Sequence, residues 1–224
     1  MQTKQHIKVW DLPVRLFHWG AVACFLVSWA SASWFDNAME IHLYSGYAML
    51  TLVLFRIIWG FAGSTTARFS NFVRDPRSLA AYARTLRHRA PSLYLGHNPG
   101  GGWAVVIMLA LLLFQVLTGL FSTDDSGSVR GPLAHLISDD ASDTISAIHS
   151  VAFDFLIAVI GIHIAAVFFY RIFKHDNLIT AMINGTRNII PGMTIPELRF
   201  AGLRRAAIIF ILVAVTVIVL IRFN

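Results

Sequence analysis

Five stretches of this chain lack the alternation of polar and apolar positions that marks an element at a water boundary. They are apolar on every side, and they approach the 20 or so residues a helix needs to cross the hydrocarbon of a bilayer. Leu16–Trp34 and Trp103–Phe121 hold no formal charge, Ile41–Gly63 holds Arg56, and Ile145–Tyr170 holds Asp154. Ala206–Ile221 is uncharged and shorter, a length that suits a thin or deformed bilayer. The pattern predicts five transmembrane helices. Between the second and third, Pro76, Leu79, Tyr82 and Leu86 follow helical spacing beside Arg84, Arg87 and Arg89. That spacing predicts a short amphipathic helix lying on anionic headgroups, with a solvated connector as the alternative.

The polar segments alternate in sign. Lys4, Lys8 and Arg15 precede the first span, and the next link has Asp36 and Glu40 without a base. The link at 64–102 carries Arg68, Arg74, Arg77, Arg84, Arg87 and Arg89. The following link carries Asp124, Asp125, Asp139, Asp140 and Asp143 against Arg130, and the last link is basic again. Lys and Arg stay on the cytoplasmic side. The N-terminus is therefore expected inside and the C-terminus outside, in a bacterial inner membrane. Of the 18 Lys and Arg, only Arg130 and Arg222 then fall outside.

Composition agrees with a lipid solvent. Hydrophobic residues make up 56% of the 224 and charged residues only 13%, against about a quarter charged in soluble domains. The net charge of +6 follows from the loop pattern and needs no nucleic acid. The single cysteine, Cys24, excludes an intramolecular disulfide framework, a multi-cysteine metal site and a C-x-x-C-H haem attachment. The first apolar stretch has no small-residue cleavage site after it and is expected to be a retained span. The expected fold class is all-α: an integral membrane four-helix bundle over residues 1–185, including the basic link at 64–102. Residues 186–224 add a basic link and a fifth transmembrane helix.

Four of the nine histidines lie inside spans, where ionisable groups are costly and usually functional. The topology puts His18 and His163 toward the inner face, and His42 and His149 toward the outer. His149 and His163 are 14 residues apart, which is close to four turns and a rise of about 21 Å. Two pairs of imidazoles at two depths in one bundle suit two non-covalent, bis-histidine b haems. The competing readings are histidines that only hydrogen-bond between helices and a zinc site, which finds no third protein ligand. Arg56, 14 residues after His42, falls at the inner depth and is a candidate partner for a haem propionate. Arg15 is a second candidate, or a snorkelling interfacial arginine. Gly46, one turn after His42, and Gly161, two residues before His163, offer close approach to a flat ring or to a neighbouring helix.

At these residues the chain resembles the bacterial cytochrome b-561 superfamily, which includes the cytochrome b subunits of membrane-bound nickel–iron hydrogenases. The similarity runs over residues 8–185. It is carried by Val9-Trp10-Asp11-Leu12-Pro13-Val14-Arg15-Leu16-Phe17-His18-Trp19, by Ile41-His42-Leu43-Tyr44-Ser45-Gly46, by Leu95-Gly96-His97-Asn98-Pro99-Gly100, and by His149 and His163 followed by Lys174-His175-Asp176-Asn177-Leu178. The resemblance implies haem b ligation by His18 with His163 and by His42 with His149. It also implies a quinone as one redox partner and often a periplasmic protein, a c-type cytochrome or hydrogenase-like enzyme, as the other. The fifth span and the link before it depart from the family pattern.

His97 and Asn98 are candidates to hydrogen-bond a quinone head or a propionate, and Asn98 with Pro99 equally reads as a helix cap. Asp154 suits a proton relay to an outer quinone, or a pairing with a polar neighbour. The leading expectation is an electron-transfer subunit between quinone and a periplasmic partner. A self-contained oxidoreductase taking electrons from superoxide, and a histidine-bearing transporter, are the alternatives.

Overall fold

The computed structural model describes residues 6–36, 38–124, 127–189, 193, 195 and 197–222. Lys4 and Asp125, two of the loop charges, lie outside the described residues. The helices are α1 (Leu12–Ser33), α2 (Met39–Ala62), α3 (Phe69–Phe72), α4 (Pro76–Thr85), α5 (Pro99–Gly119), α6 (Asp139–Ile172), α7 (Leu178–Asn184) and α8 (Leu203–Arg222). A two-stranded antiparallel ribbon pairs β1 (His6–Lys8) with β2 (Thr186–Asn188), with Ile7 opposite Arg187. All five predicted spans are helices long and apolar enough to cross a membrane: α1, α2, α5, α6 and α8.

All five helices begin earlier than their apolar stretch, and polar residues at the helix start explain it for α1, α5 and α6. Asp11 accepts the Val14 N–H at 2.8 Å, and Pro13 stands in the first turn, where its missing N–H costs nothing. Asn98 accepts from Gly101 N–H at 2.8 Å, with Pro99 as the first helical residue of α5. α6 starts with Asp139 and Asp140 in its first turn, where carboxylates favour the N-terminal end of the helix dipole. Its 34 residues make a rod about 51 Å long. The amphipathic helix predicted in the basic link is α4. Asp75 caps it by accepting from Arg77 N–H at 2.9 Å and Ser78 N–H at 3.0 Å, and the Ser78 hydroxyl, donating at 2.6 Å, together with these N–H groups holds its carboxyl below the usual range.

The chain divides into two compact units. The first comprises Met1–Leu16, Ile58–Ile107 and Val159–Ala206, and polar contacts between distant segments hold it. Asp11 accepts from the indole N–H of the fully buried Trp59 at 3.0 Å. Thr66 donates to the Val9 carbonyl at 2.6 Å. Gly185 ends α7 at φ +83°, where a side chain would be strained, and its carbonyl accepts from Val9 and Trp10 at 2.8 and 3.1 Å. Arg187 pairs with Asp176, both largely buried, and also donates to the carbonyls of Tyr94, Leu95 and Ser92. Burial raises the Asp176 carboxyl above its ordinary range while Arg187 pulls it back.

The second unit comprises Phe17–Ile57, Met108–Ala158 and Ala207–Asn224. Leu50, Leu120, Leu133, Val213 and Val217 form its buried core. The fifth long helix thus supplies two of these core residues. Phe25 and Trp29 pack against Phe153, and the Ser28 and Ser45 hydroxyls join α1 to α2 at 2.6 Å.

Candidate functional site

His42 on α2 and His149 on α6 come together in the second unit. Their ring centroids are 6.1 Å apart and the rings stand nearly perpendicular, at 78°. Each ring has its Nδ1 engaged. His42 Nδ1 lies 2.9 Å from the Ser28 carbonyl, which can only accept, so this nitrogen carries the proton. His149 Nδ1 lies 2.9 Å from the Thr118 hydroxyl. That hydroxyl sits at hydrogen-bond distance from the carbonyls of Phe114 and Gln115, its own donor targets. The Gln115 amide nitrogen meets His149 Nε2 at 3.0 Å and donates to the His149 carbonyl at 3.1 Å. An amide N–H donates, so His149 Nε2 is the acceptor and Nδ1–H donates to Thr118. Both imidazoles are therefore donors at Nδ1, and His149 Nε2 accepts with its lone pair, the arrangement that orients a metal-ligating histidine.

The spacing also fits a metal between the rings. An iron in this gap could be held by His42 and His149, whose ring centroids are 6.1 Å apart. A planar macrocycle needs room beside the ligands. A Cβ on Gly46 would meet nothing within 4 Å, whereas one on Gly119 would lie 3.1 Å from His149 Cε1. Gly46 therefore fronts open space, and Gly119 lets α5 lie close against the His149 ring.

The other sequence candidates divide. His18 lies on α1 in the second unit, edge-on to Trp19 at 4.9 Å, and His163 lies on α6 in the first. Their pairing rests on chain position. Arg56 is 2% exposed on α2, too buried for a snorkelling surface arginine. Arg15 donates from its guanidinium to the Ile183 carbonyl at the end of α7. A Cβ on Gly161 would meet nothing within 4 Å. Asn98 caps α5 with its oxygen and donates its amide to the Tyr170 hydroxyl at 3.0 Å, so both its ends are occupied. His97 packs against the rings of Trp10 at 4.6 Å and Phe72 at 4.5 Å. Asp154 is exposed on α6.

Gln115 and Thr118 were missed by the sequence reading. A signal was present: they are the two polar side chains of Trp103–Phe121, and at i, i+3 they share a helix face.

The comparisons with known proteins agree with this chemistry. The chain is 24% identical over 217 residues to the "Probable Ni/Fe-hydrogenase B-type cytochrome subunit" of Rhizobium leguminosarum bv. viciae, covering 82% of this chain and 90% of the relative. It is 23% identical over 212 residues to the "Probable Ni/Fe-hydrogenase 1 B-type cytochrome subunit" of Escherichia coli K12, covering 80% and 90%. No solved structure matches the chain. The model of the prokaryotic cytochrome b561 family matches residues 9–185, with five membrane-length helices around it, and the chain belongs to that family: a multi-pass, haem b-binding membrane cytochrome of electron transport.

Proposed function

We propose that the chain carries two b haems and passes electrons across a bacterial inner membrane between quinone and a periplasmic redox enzyme. His42 and His149 hold the outer haem, and His18 and His163 the inner one. The observation that carries this reading is the His42–His149 pair, with rings 6.1 Å apart and each Nδ1 engaged by a neighbour. Bound haem supplies a one-electron couple, and the protein sets its position and potential.

The chain's own residues do the rest. Ser28 and Thr118 fix the two ring tautomers. Gln115 covers His149 Nε2 and keeps the His149 carbonyl as a second acceptor for its amide, so the nitrogen can be released to a metal without orphaning the amide. Gly46 leaves space for the ring edge. Arg56, buried at the depth of the inner pair, supplies positive charge for a propionate. The 14 residues between His149 and His163 separate the two positions by about 21 Å along α6.

The printed names of the relatives support a hydrogenase-like enzyme as the outer partner. The acidic link Ser122–Thr144 offers a surface for electrostatic docking. The basic loops support a cytoplasmic N-terminus and a periplasmic C-terminus. Haem extraction from purified protein is the test. Two haems b per chain are expected, both reduced on anaerobic mixing with a naphthoquinol. One haem per chain overturns the pairing, and two haems that the quinol leaves oxidised overturn the quinone assignment.

A further inference from the structure

A cavity of about 1090 Å³ opens in the first unit, outside the histidine site. Ser78, Ala81, Tyr82 and Thr85, one face of α4 at helical spacing, form one wall. The segment Ala90–His97 forms another, and Phe72, Arg74, His88 and Lys174 are among the other lining residues. Among the described residues, no aspartate or glutamate lines it.

Lys174 is the unusual member. It is 3% exposed, and its ammonium donates to the carbonyls of Thr85 at 2.9 Å and His88 at 2.6 Å. These are dipoles and not charges, so one ammonium proton and the net charge are left over. Asp176, two residues on, is taken by Arg187. A buried cation without a counter-anion is costly, and the cavity it lines is where an anion fits.

The remaining walls narrow the anion's class. Phe72, Leu93 and Leu95 are apolar and would be wasted on inorganic phosphate. Exposed Arg77 and Arg84 on α4, with Arg87 and Arg89 just after it, make a basic surface of the kind that gathers acidic lipid.

We propose that this cavity binds one anionic phospholipid, its phosphate on Lys174 and Arg74 and its upper acyl chain against Phe72, Leu93 and Leu95. A zwitterionic lipid would bring its own cation toward Arg74 and His88 and bind less well.

Native mass spectrometry of the haem-loaded full chain in detergent tests this, with phosphatidylglycerol, phosphatidylcholine of the same acyl chains and inorganic phosphate as probes. One phosphatidylglycerol should bind at about tenfold lower concentration than phosphatidylcholine, a preference that two cations lining one cavity can supply. Equimolar inorganic phosphate should not displace it. Lys174→Gln should abolish the preference, and Arg74→Gln should cut it about fivefold. Arg74 is exposed, so its variant decides the matter if Lys174→Gln does not accumulate. Equal binding of the two lipids, an unchanged preference in the variants, or displacement by phosphate would each overturn the proposal.

Discussion

The two units solve the same problem with different chemistry. Among the described residues the first buries Asp11, Lys174 and Asp176, and the second buries one charged side chain, Arg56. The first is tied by ion pairs, caps and a ribbon between segments far apart in sequence. The second is tied by Leu, Val and aromatic contacts, with hydroxyls and one amide around two imidazoles. Breaking a bond in the first should therefore change stability, and breaking one in the second should change the cofactor.

The largest expected effect tests the second half of that contrast. His149→Ala should drop haem content from two per chain to one while the protein remains folded, as read by the reduced-minus-oxidised spectrum. Retention of both haems would remove His149 from the ligand set.

Next is the ion pair of the first unit. Arg187→Met leaves Asp176 buried without its counter-charge and should cost about 3–5 kcal/mol, measured as a lower unfolding midpoint with haem spectra unchanged until unfolding. The pH dependence has a defined sign. Folded Asp176 holds its proton above the ordinary value of 3.8, so just above that pH the folded state binds more protons than the unfolded one. Stability then falls as pH rises through the window. Removing Arg187 raises the folded value further and widens the window.

Asp11→Ala removes a helix cap and orphans the Trp59 indole N–H, for about 2–3 kcal/mol. Asp11→Asn should recover only about half of it, because its single oxygen can keep the Val14 bond or the Trp59 bond but its amide nitrogen cannot accept the other. A full loss in the Asn variant would mean the charge matters more than the hydrogen bonds.

The smallest effect is the most specific. Thr118→Val removes the acceptor for His149 Nδ1–H and makes the imidazole a weaker donor to ferric iron. A hydrogen bond of about 1 kcal/mol corresponds to about 40 mV. The outer haem's midpoint should rise by that order, with the inner one unmoved and Thr118→Ser restoring the original value. A shift in both haems, or none, would assign Thr118 to packing alone.

The apolar spans, the amphipathic link helix and the nearness of His42 to His149 could be read from the sequence because each signal is simple: run length, spacing and cost of burial. The earlier starts of α1, α5 and α6 were hidden because capping residues are polar and break an apolar count. The Asn98 cap was visible as one of two readings, and its amide contact with Tyr170, 72 residues away, was not. The β1–β2 ribbon was invisible for the same reason, since three residues each of His-Ile-Lys and Thr-Arg-Asn carry no pattern apart from their partner. Lys174 was noted only as part of a family-like stretch. What singles it out is burial without a carboxylate, which requires the fold.

The length of α6 has one more consequence. Because a single unbroken helix carries one histidine of each proposed pair, the helix acts as a ruler. Inserting one residue between His149 and His163 would turn one ring by about 100° and advance it about 1.5 Å, so one site or the other would lose its ligand. Inserting seven would bring the ring back within about 20° of its original face but stretch the gap by about 10.5 Å, into the next pair of turns. This segment is therefore constrained in length more tightly than its packing at Phe153 and Leu156 constrains its composition, and the spacing of the two proposed electron sites would be set by counting residues.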